Sequence, residues 1–124
     1  MKTIAQQLNI KEFPFKIQDK DGNTLYWEDD DGYWEKHEYD SSGRIIYAEH
    51  SRGYWEKSEY DSDGNETYSE NSHGHWVRRE RDSDGRMIYR EDFTGSWWKS
   101  EYDSDGNEIY FENSSGEIRD NRPT

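Results

Sequence analysis

Carboxylate side chains return at a fixed spacing in this sequence, and they are its most abundant candidates for chemistry. The 124 residues include 29 Asp and Glu against 16 Lys and Arg, a formal net charge of −13. One glutamate recurs every 21 residues, and this row consists of Glu28, Glu49, Glu70, Glu91 and Glu112. Lys36, Lys57, Arg78 and Lys99 recur in the same way and are candidate cross-strand partners. Catalysis needs a site that excludes water around a tuned base or nucleophile, so these solvated rows predict a protein that is not an enzyme.

Two other patterns resemble metal sites. The run from Asp19 to Asn23 copies the opening of a calcium-binding EF-hand loop, but Thr24 stands at the sixth position, where that loop requires glycine. Turn capping explains the same residues. His50, His73 and His75 are potential transition-metal ligands, yet solvent-facing histidines are the favoured interpretation, since His73 and His75 depart from the repeat in one copy only. Cysteine is absent, which excludes thiolate ligands and disulfides. We expect no metal and no cofactor.

A ladder of glycines indicates the elements that carry these side chains. The spacing alternates between 10 and 11 residues, and the glycines stand at positions 22, 32, 43, 53, 64, 74, 85, 95, 106 and 116. Nine of the ten close an Asp/Asn-x-x-Gly motif, which is typical of a type I turn followed by a left-handed glycine. Runs of Tyr, Trp, Ile and Thr alternate with Glu and Lys between the turns and predict strands. The fold class is therefore all-β: a single antiparallel meander of about eleven short strands from 21-residue β-hairpin repeats, twisted or coiled.

The odd length of the repeat raises a problem of side-chain direction. Successive residues of a strand point to opposite faces, so a 21-residue step turns equivalent residues over unless an extra residue intervenes. We expect one even loop or β-bulge in each repeat. That irregularity would place the four repeated tryptophans, Trp34, Trp55, Trp76 and Trp97, in one row.

The first repeat differs from the others and predicts an N-terminal cap. Thr3 is a candidate N-cap for a short helix at about residues 3–9, with Ile4 and Leu8 one helical turn apart on its apolar side. Pro14 suits an edge strand. The predicted organisation is an N-terminal cap of helix plus edge strand at 1–18, a β-hairpin repeat array at 19–116, and a terminal half-repeat and tail at 117–124.

Composition limits the possible partners. An acidic chain disfavours direct binding to nucleic acid or to an anionic membrane, because both require basic surface. It favours a basic protein partner, which includes nucleic-acid-binding proteins. No signal-peptide or transmembrane pattern occurs, so we expect a cytoplasmic location. The open edge strands would allow a homodimer.

Departures from the repeat supply the remaining candidate contact residues. Arg79 and Arg81 stand in the third copy, residues 75–95, where other copies have neutral residues or His. An intramolecular salt-bridge band is favoured there over a partner site, although Arg is enriched at interfaces. Trp98 and Phe111 are unrepeated aromatics and are freer to make contacts. The candidate partner-binding residues are Glu28, Glu49, Glu56, Glu59, Asp61, Asp63, Glu66, Glu70, Arg79, Arg81, Trp98 and Phe111.

The turn motif resembles a known repeat. Tyr-Asp-x-x-Gly at 39–43, 60–64 and 102–106 is similar to the YD repeat of RHS-type proteins, and the alternating Gly-x-Trp resembles MORN-type and antitoxin-like hairpin repeats. Arg81 departs from the YD pattern. Both families imply arrays that scaffold or bind.

The leading functional hypothesis is an acidic, non-enzymatic protein-binding repeat module. Its finer form is a nucleic-acid-mimicking inhibitor of a basic host or defence protein such as a nuclease, of the phage anti-defence type. The alternatives are a carbohydrate- or surface-binding aromatic repeat module and a purely structural assembly module. A designed repeat also stays open.

Overall fold

A computed structural model describes residues 2–123 as one open antiparallel sheet in which each strand lies beside its neighbour in sequence. A single short helix, α1, precedes the sheet. The predicted all-β meander of eleven strands is thus confirmed. The elements are α1 Ile4–Gln7, β1 Phe15–Gln18, β2 Thr24–Glu28, β3 Trp34–Tyr39, β4 Ile45–His50, β5 Trp55–Tyr60, β6 Glu66–Asn71, β7 Trp76–Arg81, β8 Met87–Asp92, β9 Trp97–Tyr102, β10 Glu108–Asn113 and β11 Ile118–Asp120.

The turns form because Asp and Gly together satisfy the backbone. In the turn after β3, Oδ1 of Asp40 accepts the amides of Ser42 and Arg44 at 2.9 and 3.0 Å. The amide of Gly43 donates to the carbonyl of Asp40 at 3.0 Å, and Gly43 has φ of 85°. All ten glycines have φ between 81° and 93°. The predicted turn chemistry is therefore confirmed. Glycine adopts this left-handed region at little cost because it has no Cβ.

One β-bulge in each described hairpin between an odd and an even strand resolves the parity problem. Tyr39 lies opposite Ile45, while Glu38 lies opposite Tyr47, so Ile46 is the extra residue. The same shift occurs at Leu25, Ile88 and Ile109. The predicted irregularity is confirmed in its bulge form, and it lies within the strand that follows the turn.

Two compact units divide the chain. The first comprises the residues up to Ser58 together with Asn71–His73, and the second comprises Glu59–Glu70 and the residues from Gly74 onward. Within the first unit the register places Trp34 and Trp55 on one face. Within the second it likewise places Trp76 and Trp97 on one face. The predicted boundaries 1–18, 19–116 and 117–124 stay predictions, and their end residues Met1 and Thr124 lie outside the described part.

The N-terminal cap differs in detail from its prediction. Thr3 is the N-cap and its hydroxyl accepts the amide of Gln6, as expected, but the helix has only four residues. Asn9, with φ of 57°, follows this single turn. Ala5 is completely buried, whereas Ile4 and Leu8 are 36% and 59% exposed. The prediction that Ile4 and Leu8 form the packed side is wrong, because one helical turn brings Ala5 and its amide against the sheet.

Within residues 2–123, no helix has the length and apolar character needed to cross a membrane.

Candidate functional site

The recurring glutamates are held by tyrosines two residues earlier on the same strand. The hydroxyl of Tyr47 donates to Glu49 at 2.8 Å, and the pairs Tyr26–Glu28, Tyr68–Glu70, Tyr89–Glu91 and Tyr110–Glu112 repeat this contact. Hydrogen bonding to the carboxylate raises the pKa of Tyr47. Cross-strand lysines add ion pairs, with Lys36 at 3.5 Å from Glu49 and Lys99 at 3.2 Å from Glu112. The predicted lysine partners are confirmed at these two sites, and the glutamate row is part of the scaffold.

Glu28 is the most enclosed member of that row. It is 1% exposed and accepts hydrogen bonds from the Thr3 hydroxyl at 2.5 Å, the Ala5 amide at 3.1 Å and the Tyr26 hydroxyl at 2.8 Å. Burial acts to raise its pKa, but the three hydrogen bonds outweigh burial and leave the pKa below the ordinary value. The prediction of Glu28 as a partner-contact residue is wrong, because the cap helix covers it.

Other predicted acids are also engaged within the chain. Asp61 caps its turn by accepting the amides of Asp63 and Asn65, and these hydrogen bonds lower its pKa. Glu56 is exposed and accepts the Tyr54 hydroxyl at 3.2 Å. Glu66, which is half-buried, is paired with Arg79, as described below.

A second set of acids faces solvent without such contacts. In the described part of the chain, no hydrogen bond or ion pair engages these carboxylates, and each residue is exposed. On the strands they include Glu38, Glu59 and Glu80, and at the turn tips they include Asp21, Asp63 and Asp105. Glu59 and Asp63 were predicted contact residues. Equivalent positions on alternate strands are about 10 Å apart, twice the strand spacing.

The arginines of the third copy are mostly paired within the chain. Arg79 contacts Glu66 at 2.8 Å, and Arg90 contacts Asp92 at 3.2 Å. Arg86 contacts Asp82 at 3.2 Å and Asp84 at 2.7 Å. Arg79 thus pairs with an acid of the preceding copy, as the intramolecular salt-bridge interpretation expects, whereas Arg86 and Arg90 pair within their own copy.

Arg81 is the least well accommodated of these arginines. Its Nη1 donates to the carbonyl of Gly85 at 3.2 Å, whereas its Nε is buried and has no hydrogen-bond partner among the described residues. In other copies a tyrosine occupies this position, and the hydroxyl of Tyr39 donates to the carbonyl of Thr24 at 2.8 Å.

The unrepeated aromatics stack on one another. The rings of Trp98 and Phe111 have centroids 6.3 Å apart, and the guanidinium of Arg119 lies 4.4 Å from the centroid of Phe111. Both residues are half-buried, so each presents part of its ring to solvent.

His50, a potential metal ligand in the sequence, lies among aromatic rings. The ring centroids of Tyr33 and Tyr54 are 5.8 and 5.6 Å from the centroid of its imidazole. The imidazole of His50 therefore belongs to a row of stacked rings.

Sequence reasoning missed two features. Asp29, Asp30 and Asp31 are three consecutive acids whose carboxylates lie within 4.8 Å of one another, a run visible in the sequence. Asp29 caps its turn through the amides of Asp31 and Tyr33, and an acidic cluster alone does not define a metal site. The second feature is Arg122, which stacks on Tyr110 and pairs with Glu101; its position in the tail gave no signal.

Comparison with known proteins identifies similar folds only. No family model and no curated protein matches the chain. Among solved structures, the crystal structure of TcdB2-TccC3-TEV aligns with a TM-score of 0.55 at 16% identity, and covers 92% of this chain. The Tc holotoxin pore of Photorhabdus luminescens with the TccC3-D651A mutation aligns with a TM-score of 0.56 at 16% identity, again over 92% of this chain. The chain spans 6% of the length of either protein. The chain is a β-hairpin repeat module.

Proposed function

We propose that this module binds a protein partner through exposed carboxylates, and that the partner presents a basic surface. The observation that carries the proposal is the division of the acids into two sets. Tyrosines, turn amides and cations engage one set. The other set, exemplified by Glu80 and Asp105, repeats along the strands and turn tips without partners in the described chain.

The electrostatic reason is general. A chain with net charge −13 attracts cationic partners over distances of about a Debye length, roughly 10 Å at 0.1 M salt. Acids that are already committed to the scaffold contribute to this field but gain no direct contact. The unpartnered acids contribute to this field and can also form ion pairs with the partner, so they define the binding surface.

The finer proposal concerns the repeat type and the partner. The Tyr-Asp-x-x-Gly turns and the fold likeness to the two Tc-toxin structures support a YD-type array. Within the binding role, the partner is a nucleic-acid-binding protein such as a nuclease. The acidic rows take the place of nucleic-acid phosphates on that partner and compete with nucleic acid for it. The module acts in the cytoplasm, without catalysis or cofactor. Pairing of two copies through the edge strands β1 and β11 is a separate proposal, which light scattering tests.

The test uses defined cationic probes and the full chain. Oligo-lysine is titrated into the protein by calorimetry, with oligo-glutamate of equal length as the control. We expect binding of oligo-lysine alone, and an affinity that falls as salt rises from about 50 to about 200 mM. An Asp63→Asn, Asp105→Asn double variant should bind more weakly. Absence of binding at the lower salt, or an affinity indifferent to salt, contradicts the proposal.

A further inference from the structure

The tail shows what one repeat site binds. The guanidinium of Arg122 lies 4.1 Å from the ring centroid of Tyr110, and its Nη1 is 3.2 Å from the Glu101 carboxylate. Tyr110 and Glu101 are directly opposite one another on β10 and β9. A tyrosine ring and a cross-strand carboxylate thus receive an arginine, the ring through a cation–π contact and the carboxylate through an ion pair.

The same pair of side chains occurs in other repeats. Tyr89 lies opposite Glu80 on β8 and β7, within the second unit, and Tyr47 lies opposite Glu38 within the first. Glu80 and Glu38 are exposed, and no cation pairs with either carboxylate in the described chain. No arginine stacks on Tyr89 or Tyr47 there either. The Tyr47 ring, however, already stacks on Trp55, with centroids 6.3 Å apart. The Tyr89–Glu80 pair keeps the register of the occupied site, and no arginine of the described chain occupies it.

A cleft connects the occupied and the unfilled pairs in the second unit. It has a volume of about 420 Å³, and Glu80, Tyr89, Glu101, Tyr110 and Arg122 are among its lining residues. An arginine side chain entering this cleft would meet a carboxylate and an aromatic face, as Arg122 does at its end.

We propose that the Tyr89–Glu80 pair is a binding site for an arginine side chain of a basic protein segment. Arg122 occupies the last site of this series from within the chain. The inference rests on the proposed function and adds to it the chemistry of the partner: guanidinium groups in preference to ammonium groups. A guanidinium is planar and weakly hydrated, so it stacks on a ring while pairing with a carboxylate, whereas an ammonium acts as a compact hydrated charge.

The occupied site has one advantage that the unfilled site lacks. Asp120, opposite Tyr110 on its other side, binds Arg122 through contacts of 2.8 and 2.9 Å. Tyr89 instead has Lys99 on that side, and its ammonium pairs with Glu112. The unfilled site is therefore weaker than the tail site.

The experiment compares oligo-arginine with oligo-lysine of equal length on the full chain by calorimetry. Oligo-arginine should bind more tightly than oligo-lysine. Glu80→Gln should weaken oligo-arginine binding by about two- to five-fold, the range for an exposed ion pair. Asp105→Asn, which removes one charge from an exposed acid outside the pair, should weaken it by less than half as much. Tyr89→Phe keeps the ring and should retain binding.

Two further variants test the comparison with the tail. Arg122→Ala opens the last site and should strengthen oligo-arginine binding, and Lys99→Gln removes the cation beside Tyr89 and should do the same. Circular dichroism confirms that each variant is folded. Equal affinity for the two peptides, or equal losses from Glu80→Gln and Asp105→Asn, overturns the arginine site while leaving the acidic binding function in place. Failure of both peptides to bind at low salt overturns both proposals.

Discussion

The carboxylate of Glu28 accepts the hydroxyl of Thr3 at 2.5 Å, which ties the N-cap of the helix to the end of β2. The two residues are 25 positions apart in sequence. This contact, together with the Ala5 amide, converts a repeated strand glutamate into the anchor of the cap. The helix has one turn, too short to be stable in isolation, so its stability comes from this packing.

We predict that Glu28→Gln lowers the free energy of unfolding by about 1–3 kcal/mol, because a buried charged acceptor of three hydrogen bonds is replaced by a neutral amide. Glu112→Gln is the matched control, since Glu112 is half-buried and water can replace lost contacts. It should cost clearly less than Glu28→Gln, because an exposed ion pair contributes little. Chemical denaturation measures both. Equal losses would show that the cap does not depend on Glu28.

The stability of the protein should also depend on pH through Glu28. Its folded pKa is depressed below 4.5, so it contributes stability above the unfolded value, and that contribution is lost as pH falls through the folded value. The difference in stability between the unaltered chain and Glu28→Gln should therefore shrink below about pH 4.5. Denaturation series at several pH values measure this difference. A gap that stays constant into strong acid would contradict the assignment.

Substitution of a turn glycine should destabilise the protein through backbone conformation alone. Gly43 has φ of 85°, and a Cβ added there would meet nothing within 4 Å. Gly43→Ala should cost about 1–2 kcal/mol, the penalty of a left-handed L-residue. Gly43→Asn should cost less, because Asn tolerates that region. Thermal unfolding compares the two variants, and an alanine variant as stable as the original chain would refute the strain argument.

Restoring the repeat at Arg81 should stabilise the protein. Arg81→Tyr removes a buried Nε that lacks a partner and offers a hydroxyl to the backbone, as Tyr39 does. A gain of about 1 kcal/mol in unfolding free energy is expected from one such hydrogen bond. Arg81→Leu, which removes the Nε but supplies no hydroxyl, separates the two effects. Destabilisation by the tyrosine variant would show that Arg81 is better placed than its contacts indicate.

Local chemistry explains why much of the fold was predictable. The Asp40 and Gly43 pattern specifies its turn within five residues, and the repeat copies that turn along the chain. Parity then required an extra residue, and Ile46 supplies it. The sequence did not specify where the bulge lies, because an even loop meets the same requirement.

The candidate site was less predictable because it depends on tertiary contacts. Glu28 and Glu49 hold the same place in the repeat, but the cap helix covers Glu28, and Phe15 lies opposite it where Lys36 lies opposite Glu49. Arg122 resembles any charged tail residue until its contact with Tyr110 is known. Repetition predicts what the copies share, whereas these differences arise from neighbours at the ends.

The bulge at Ile46 and its counterparts has a consequence for how such a chain can change in length. Because equivalent side chains return to the same face after each 21-residue repeat, duplication or loss of a whole repeat leaves the remaining side chains on their original faces. Loss of the bulge residue alone would turn over everything downstream. The sheet thus tolerates the gain of whole repeats, whereas deletion of one strand residue would move every later side chain to the opposite face.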